Sequence, residues 1–120
     1  MYFSESEEFA KELKKLKKKY RTLEDDIAIL NKTIVIAPAR MGKHDVILRS
    51  DEKIALYAVK KRMMCRAVRG SQFRVTYLYK EDQAEILCTE LFYKGNKERE
   101  DSTRINQYFE EALARYQDEQ

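Results

Sequence analysis

Several residue types are scarce in this chain, and each shortage excludes a class of protein. There is no tryptophan, one histidine and one proline, and only three glycines and two cysteines in 120 residues. So little linker material favours a single domain over residues 1–120. No apolar run approaches the roughly 18–20 residues that a membrane span needs, and the acidic N-terminus lacks the apolar core of a signal peptide. The sequence therefore predicts a cytoplasmic protein without a membrane partner.

The cysteines and the histidine are too few for a metal site. A structural zinc site usually has four ligands, and Cys65, Cys88 and His44 supply three at most. Free cysteines are often buried, and cytoplasmic thiols stay reduced. We expect both cysteines to pack in the core and His44 to lie on a surface loop. We expect no metal and no cofactor.

Positive charge is concentrated in one stretch, residues 53–80. It contains eight basic residues and no acidic one. Residues 1–52 are nearly balanced, with eleven basic and ten acidic side chains, whereas residues 81–120 carry five and eleven. A polyanion responds to local charge more than to net charge, so this stretch is a candidate nucleic-acid interface. The alternative is the solvated outer face of a half-buried sheet.

The same stretch has the pattern of two β-strands. Residues 54–59 are apolar, and residues 73–79 are aromatic and β-branched. Between them, Arg69-Gly-Ser-Gln72 is a turn signal. The pattern predicts a β-hairpin.

Side-chain alternation divides the basic residues of this hairpin between faces. In the first strand Arg62 shares a face with Lys60 and Arg66. In the second strand Arg74 shares a face with Lys80, whereas Tyr77 is expected in the core. A hairpin that joins these two basic faces would place a positive patch on a rigid sheet.

Helical and strand patterns outside this stretch complete an α+β fold. Ser4-Glu-Ser-Glu7 matches a capping box and predicts the start of a helix. A second helix, capped by Thr22, is expected to end at Ala37-Pro38, followed by a loop over 39–50. The predicted order is β-α-α-β-β-β-α, with an edge strand at Tyr2-Phe3, a strand at 84–93 and a last helix capped by Asp101 or Ser102. The N-terminal helical hairpin should pack on a small twisted antiparallel sheet, whose other face stays open and carries the basic residues.

The first helix is unusually rich in lysine. Phe9, Leu13, Leu16 and Tyr20 recur at helical spacing and predict its buried stripe. Six lysines between positions 11 and 19 cover the rest of its surface. They are either a solvated helix face or a second contact with nucleic acid.

Three motifs, in this order, resemble the RelE/ParE superfamily of toxins from type II toxin–antitoxin modules. Residues 9–20 resemble its first helix, and residues 69–77 resemble its central strand, where a glycine-containing turn leads into Arg-Val-x-Tyr. Residues 90–97 resemble its last strand and the lysine that follows. The resemblance implies a RelE-like fold and a cognate antitoxin as partner. RelE-type members cut mRNA in the decoding site of the small (30S) ribosomal subunit without a metal.

The resemblance also implies roles for individual residues. Arg74 matches the arginine after the turn and would stabilise the phosphate. Arg62 and Arg66 belong to the stretch where the family often places catalytic basic residues. Lys94 matches the lysine after the last strand, and Tyr93 is the candidate for base stacking or proton donation. The residues expected to bind nucleic acid are Lys60, Lys61, Arg69, Lys80 and Lys97.

Two other functions are compatible with the same sequence. A ParE-like toxin that poisons DNA gyrase needs this fold but not the RNA-cleaving side chains. A catalytically silent member would act as a protein-binding module, which suits the modest net charge of +3.

Overall fold

The computed structural model describes residues 1–39, 45–70 and 72–118 of the chain. These residues form three α-helices and one sheet of five strands. The strands are β1 (Tyr2–Glu5), β2 (Asp45–Asp51), β3 (Leu56–Met63), β4 (Phe73–Lys80) and β5 (Glu85–Tyr93). The helices are α1 (Glu7–Leu16), α2 (Leu23–Ile36) and α3 (Ser102–Asp118). The α+β class is therefore confirmed.

The sheet is mixed rather than purely antiparallel. Its strand order is β1-β5-β4-β3-β2, and consecutive strands from β2 to β5 pair antiparallel. β1 pairs parallel to β5, with Tyr2 opposite Glu85 and Glu5 opposite Cys88. The expected edge strand at Tyr2-Phe3 is confirmed. The prediction of an antiparallel sheet was wrong at this edge, because the chain leaves β1 through two helices and does not return by a hairpin.

A strand also occupies part of the segment that was predicted to be a loop. β2 pairs with β3 along the opposite edge, so the observed order is β-α-α-β-β-β-β-α. Its apolar run is only Val46-Ile-Leu48, which is too short to give a clear strand signal. Val46 and Ile47 are both more than 40% exposed, as edge strands allow. His44 lies outside the described residues.

The first helix begins two residues later than its capping box suggested. Ser4 lies in β1, and its hydroxyl donates to the carbonyl of Ile86. Ser6 is the N-cap instead, and its Oγ accepts from the backbone N–H of Phe9 at 3.1 Å. The pairing of β1 with β5 therefore decides where α1 starts.

The two N-terminal helices pack on one face of the sheet, as predicted. Phe9, Leu23 and Ile34 are fully buried between the helices and the sheet. Tyr77 lies among them, as expected, and its hydroxyl donates to the carbonyl of Pro38 at 2.5 Å. Cys65 and Cys88 are buried on the same side, and burial raises the pKa of the Cys88 thiol to about 12.

The opposite face is not left open. α3 packs against it through a second apolar cluster that includes Ile105 and Phe109, with Leu56, Ala58 and Leu78 beneath them. The expectation of an uncovered basic face was therefore wrong over this half of the sheet. Asp101 caps α3, because its Oδ1 accepts from the backbone N–H of Arg104 at 3.0 Å.

Candidate nucleic-acid interface

Two arginines stand directly opposite each other at one end of the sheet. Arg62 of β3 pairs with Arg74 of β4, and Arg74 pairs in turn with Phe92 of β5. These three side chains form a row on the face that carries α3. Like charges on opposed strand positions repel each other, and two guanidinium groups side by side make this row a candidate site for an anion.

Burial distinguishes the two arginines. The Arg62 side chain is exposed, whereas Arg74 is only 8% exposed, and its Nη1 donates to the carbonyl of Phe73 at 2.9 Å. Burial lowers the pKa of the Arg74 guanidinium, and the neighbouring charge of Arg62 lowers it further.

The next row of cross-strand neighbours toward the centre of the sheet contains two ion-paired side chains. Lys60 lies opposite Thr76, which lies opposite Glu90. Lys60 is bound by Glu100, with Nζ and Oε2 3.1 Å apart. Glu90 is fully buried, pairs with Lys97, and accepts from the backbone N–H of Asp101 at 2.8 Å. Residues 94–101 are thereby held across this part of the face.

Lys80 lies at the far end of the same face, where it cannot contact a nucleic acid. Its ammonium is buried, donates to the carbonyl of Ile54, and pairs with Asp82. The ring of Tyr116 in α3 lies 4.9 Å from the same nitrogen. A buried and paired ammonium gives no support to the predicted role of Lys80 in nucleic-acid binding.

Lys61 points to the other face of the sheet, because side chains alternate along β3. It is buried against the helical hairpin, 2.9 Å from the carboxylate of Asp45 and 3.3 Å from the carbonyl of Ala37. This position likewise gives no support to the predicted contact of Lys61 with nucleic acid. Asp45 belongs to the strand that the sequence did not indicate.

Arg66 is joined to α2 rather than to the arginine row. It follows β3, and its Nε lies 3.1 Å from the buried carboxylate of Asp26. Burial would raise the pKa of Asp26, but hydrogen bonds from Thr22, Cys65 and Arg66 hold it below its usual value. Arg66 therefore anchors a turn, although its side chain is 59% exposed, and its catalytic role stays a prediction.

Tyr93 and Lys94 separate at the end of β5. Tyr93 faces the helical hairpin, with its ring centroid 5.4 Å from Tyr20 and 5.3 Å from Phe73. It therefore lies on the opposite side of the sheet from Arg74, and the structure does not bring the two together. Lys94 is exposed at the same end of the sheet as the arginine row. A side chain at Gly95 would clash with the Tyr93 ring, which a Cβ would approach to 2.5 Å.

The expected patch is thus reduced to one end of the molecule. Carboxylates from outside residues 53–80 bind four of its basic side chains, namely Lys60, Lys61, Arg66 and Lys80. Arg62 and Arg74 of the patch lie at the end of the sheet where Lys94 follows β5. Arg69 is exposed in the β3–β4 connection at this end, where Gly70 adopts a φ of +75°. We call Arg62, Arg69, Arg74 and Lys94 together the arginine end.

A β-bulge hid two residues of this face from sequence analysis. Strict alternation along β5 places Glu90 and Phe92 on one face with Cys88. The pairing shifts between Thr76 and Tyr77, however, so Thr89 is extra and the alternation reverses after it. Thr89 Oγ1 lies 2.8 Å from Thr76 Oγ1, and Glu90 and Phe92 join the face of Arg74. No local signal in the sequence marks this bulge.

No protein-family model, curated protein or solved structure matches this chain. The resemblance to the RelE/ParE superfamily therefore stays a prediction from sequence motifs. No helix in the described part of the chain is long and apolar enough to cross a membrane. Within the same ranges, no cluster of three or more His, Cys, Asp or Glu side chains is placed to hold a metal ion.

Proposed function

We propose that this protein is the toxin of a type II toxin–antitoxin module and cuts mRNA on the ribosome, in the cytoplasm. The observation that carries the proposal is the opposed pair Arg62 and Arg74 at the arginine end. The sequence resemblance to RelE-type toxins gives the pair its substrate. A cognate antitoxin would neutralise the protein.

The chemistry of RNA cleavage suits this pair. The 2′-hydroxyl loses its proton to water and attacks the adjacent phosphorus, the bond from phosphorus to the 5′-oxygen breaks, and that oxygen takes a proton from water. Negative charge accumulates on the phosphorane oxygens in the transition state. Two guanidinium groups can each donate two hydrogen bonds to those oxygens. Arg74 is held by the sheet and by the carbonyl of Phe73, so its position requires little reordering when substrate binds.

Lys94 and Phe92 have supporting roles in this proposal. Lys94 is exposed just after β5, at the same end of the sheet, and would contact the phosphate backbone of the same strand. Phe92 is 6% exposed beside Arg74 and serves as the apolar floor of the row. Tyr93 and Arg66 take no part, because their side chains are committed elsewhere.

Two other functions are compatible with the observed positions of Tyr93 and Arg66. With Tyr93 and Arg66 removed from the candidate site, the arginine end could bind RNA or a protein without cleaving anything. A catalytically silent binding module is therefore the second candidate. A ParE-like gyrase inhibitor is the third, since it requires only the fold.

Induced expression in bacteria tests the proposal, with growth and mRNA integrity as readouts. We expect the wild type to arrest growth and to leave cuts in translated messages. Arg62→Gln should reduce cleavage on the order of a hundredfold, as loss of one transition-state donor does. Arg74→Lys keeps the positive charge but loses the planar guanidinium that can donate two hydrogen bonds to a phosphate. It should reduce cleavage by a similar factor.

Lys53→Gln is the matched control, because Lys53 is exposed at the opposite end of β3. It should cut messages like the wild type. Growth arrest with intact messages and gyrase-dependent DNA breaks would replace the proposal with the gyrase alternative. A folded wild type that harms nothing would leave only the binding module.

A further inference from the structure

The outer surface of α1 carries lysines that nothing in the described structure neutralises. Lys11 pairs with Glu7 at 3.1 Å, and Lys17 pairs with Glu24 at 3.2 Å. Lys14, Lys15 and Lys18 are exposed, and none of them forms an ion pair with any residue in the described ranges. This part of α1 therefore presents a concentrated positive charge to solvent.

An aromatic cluster on the helical-hairpin face joins this surface to the end of the sheet where Arg62 and Arg74 lie on the other face. Tyr20, just after α1, packs edge-on against Phe73 at 5.0 Å and lies 5.4 Å from Tyr93. Lys19 lies over the Tyr20 ring, with Nζ 5.5 Å from its centroid. Phe73 precedes Arg74, and Tyr93 precedes Lys94. Lysines that are more than 40 positions away in the chain from Arg62 are thus brought to the same end of the molecule.

We propose that Lys14, Lys15 and Lys18 form a second RNA contact that binds the phosphate backbone of a base-paired RNA next to the arginine end. The inference takes RNA as the partner from the proposed function. Residues 10–19 include no aromatic side chain on which an unpaired base could stack. Lysines alone bind phosphates without reading bases, which suits a structured RNA of any sequence.

The two contacts would have different roles in RNA binding. The arginine end engages the strand that is cut, whereas the α1 lysines position the protein on a neighbouring RNA helix. Binding through the lysines should therefore be strongly salt-dependent and independent of sequence. Loss of the lysines should weaken docking without changing the groups that contact the reacting phosphate.

The test uses a fluorescein-labelled RNA hairpin and the full chain, with affinity measured by anisotropy over a series of salt concentrations. We expect Lys15→Gln combined with Lys18→Gln to lower the slope of log K against log salt by roughly 1–2, as the loss of two phosphate contacts requires. Affinity at low salt should fall on the order of tenfold. Glutamine has nearly the helix propensity of lysine, so the helix should persist.

The matched control is Lys32→Gln combined with Lys53→Gln, which removes the same charge from exposed positions away from this surface. It should bind like the wild type. Equal losses in the two double variants would reduce the effect to net charge and overturn the inference, as would a wild type that does not bind the hairpin.

The growth assay separates this inference from the proposed function. If both double variants bind like the wild type while Arg62→Gln abolishes growth arrest, the α1 contact is wrong and the toxin proposal stands. If only the Lys15/Lys18 variant loses binding but the wild type causes no arrest, the RNA contact stands and the nuclease proposal fails.

Discussion

Two alanines occupy backbone positions that normally favour glycine. Ala55 and Ala84 have φ values of 51° and 50°, each directly after a short 3₁₀ turn that joins two antiparallel strands. In each turn the alanine N–H donates to the carbonyl three residues earlier, from Glu52 and Glu81 respectively. The left-handed conformation costs an L-residue roughly 1–2 kcal/mol because its Cβ crowds the following carbonyl.

Ala84→Gly should therefore stabilise the protein. Removal of the Cβ relieves the crowding, and the greater freedom of glycine in the unfolded chain offsets part of the gain. We expect the free energy of unfolding to rise by about 0.5–1 kcal/mol in urea denaturation. Ala55→Gly should behave in the same way. Ala114→Gly is the matched control, because Ala114 is exposed within α3, where the same change should cost about 1 kcal/mol.

At the scale of the element, α3 is the least expected feature of the sheet's second face. Phe109 is 1% exposed at its centre, and the guanidinium of Arg49 lies 4.4 Å from the centroid of its ring. The Tyr116 hydroxyl, near the end of the helix, donates to Glu85 at 2.7 Å. The helix thus closes the half of the face that lies away from the arginine end.

Phe109→Ala measures how strongly α3 is held. Truncation of a buried aromatic side chain should lower the free energy of unfolding by about 3–5 kcal/mol. Gln107→Ala, an exposed change on the same helix, should have almost no effect. A loss below about 1 kcal/mol for Phe109→Ala would mean that α3 is not docked on this face in solution.

The 94–101 segment shows how one buried carboxylate can position an element. Glu90 binds Lys97 and the backbone N–H of Asp101, and Lys60 binds Glu100. These contacts direct the chain from the end of β5 across the sheet to the start of α3. The row of Arg62 and Arg74 is the next one toward the end of the sheet, where Arg62 is exposed and Arg74 is buried.

At the scale of the whole molecule, ion pairs connect elements that are distant in sequence. Arg104 of α3 lies 3.0 Å from Glu12 of α1, and the carboxylate of Glu12 accepts from the backbone N–H of Leu91. β1 pairs only as far as Cys88, so Glu12 satisfies a backbone group on the unpaired remainder of the β5 edge. Asp26 likewise joins α2 to the turn after β3.

Asp26→Asn should therefore lower stability in a pH-dependent way. The pKa of Asp26 lies below its usual value of 3.8 in the folded protein, so its stabilising effect is complete above that value and is lost as the pH falls through the folded pKa. At neutral pH we expect a loss of about 1–3 kcal/mol, typical of a buried hydrogen-bonded charge. Urea denaturation from neutral pH down to about 2 should show the two proteins converging below roughly pH 4. A difference that stays constant over this range would contradict the assignment.

Local patterns were sufficient for much of the fold. The stripe of Phe9, Leu13 and Leu16, the stop at Ala37-Pro38 and the aromatic run from Phe73 each concern neighbouring residues, and helix and strand formation respond to such neighbours. They predicted the helical hairpin, the β3–β4 hairpin, β5 and the last helix. The sequence did not predict β2, because its apolar run is short and its stability comes from pairing with β3.

The candidate site was likewise predictable only in part from the sequence. The sequence by itself determined that positive charge is concentrated between residues 53 and 80, and that Arg62 and Arg74 would share a face if their strands paired, because side chains alternate along a strand. Only the tertiary structure decided which of those charges are ion-paired, since Asp26, Asp45 and Glu100 come from other parts of the chain. It also decided, through the bulge at Thr89 and the packing of α3, that the arginines lie beside Phe92 and away from Tyr93. Register shifts and long-range ion pairs depend on residues that are far apart in the chain, and no pattern of sequence neighbours encodes them.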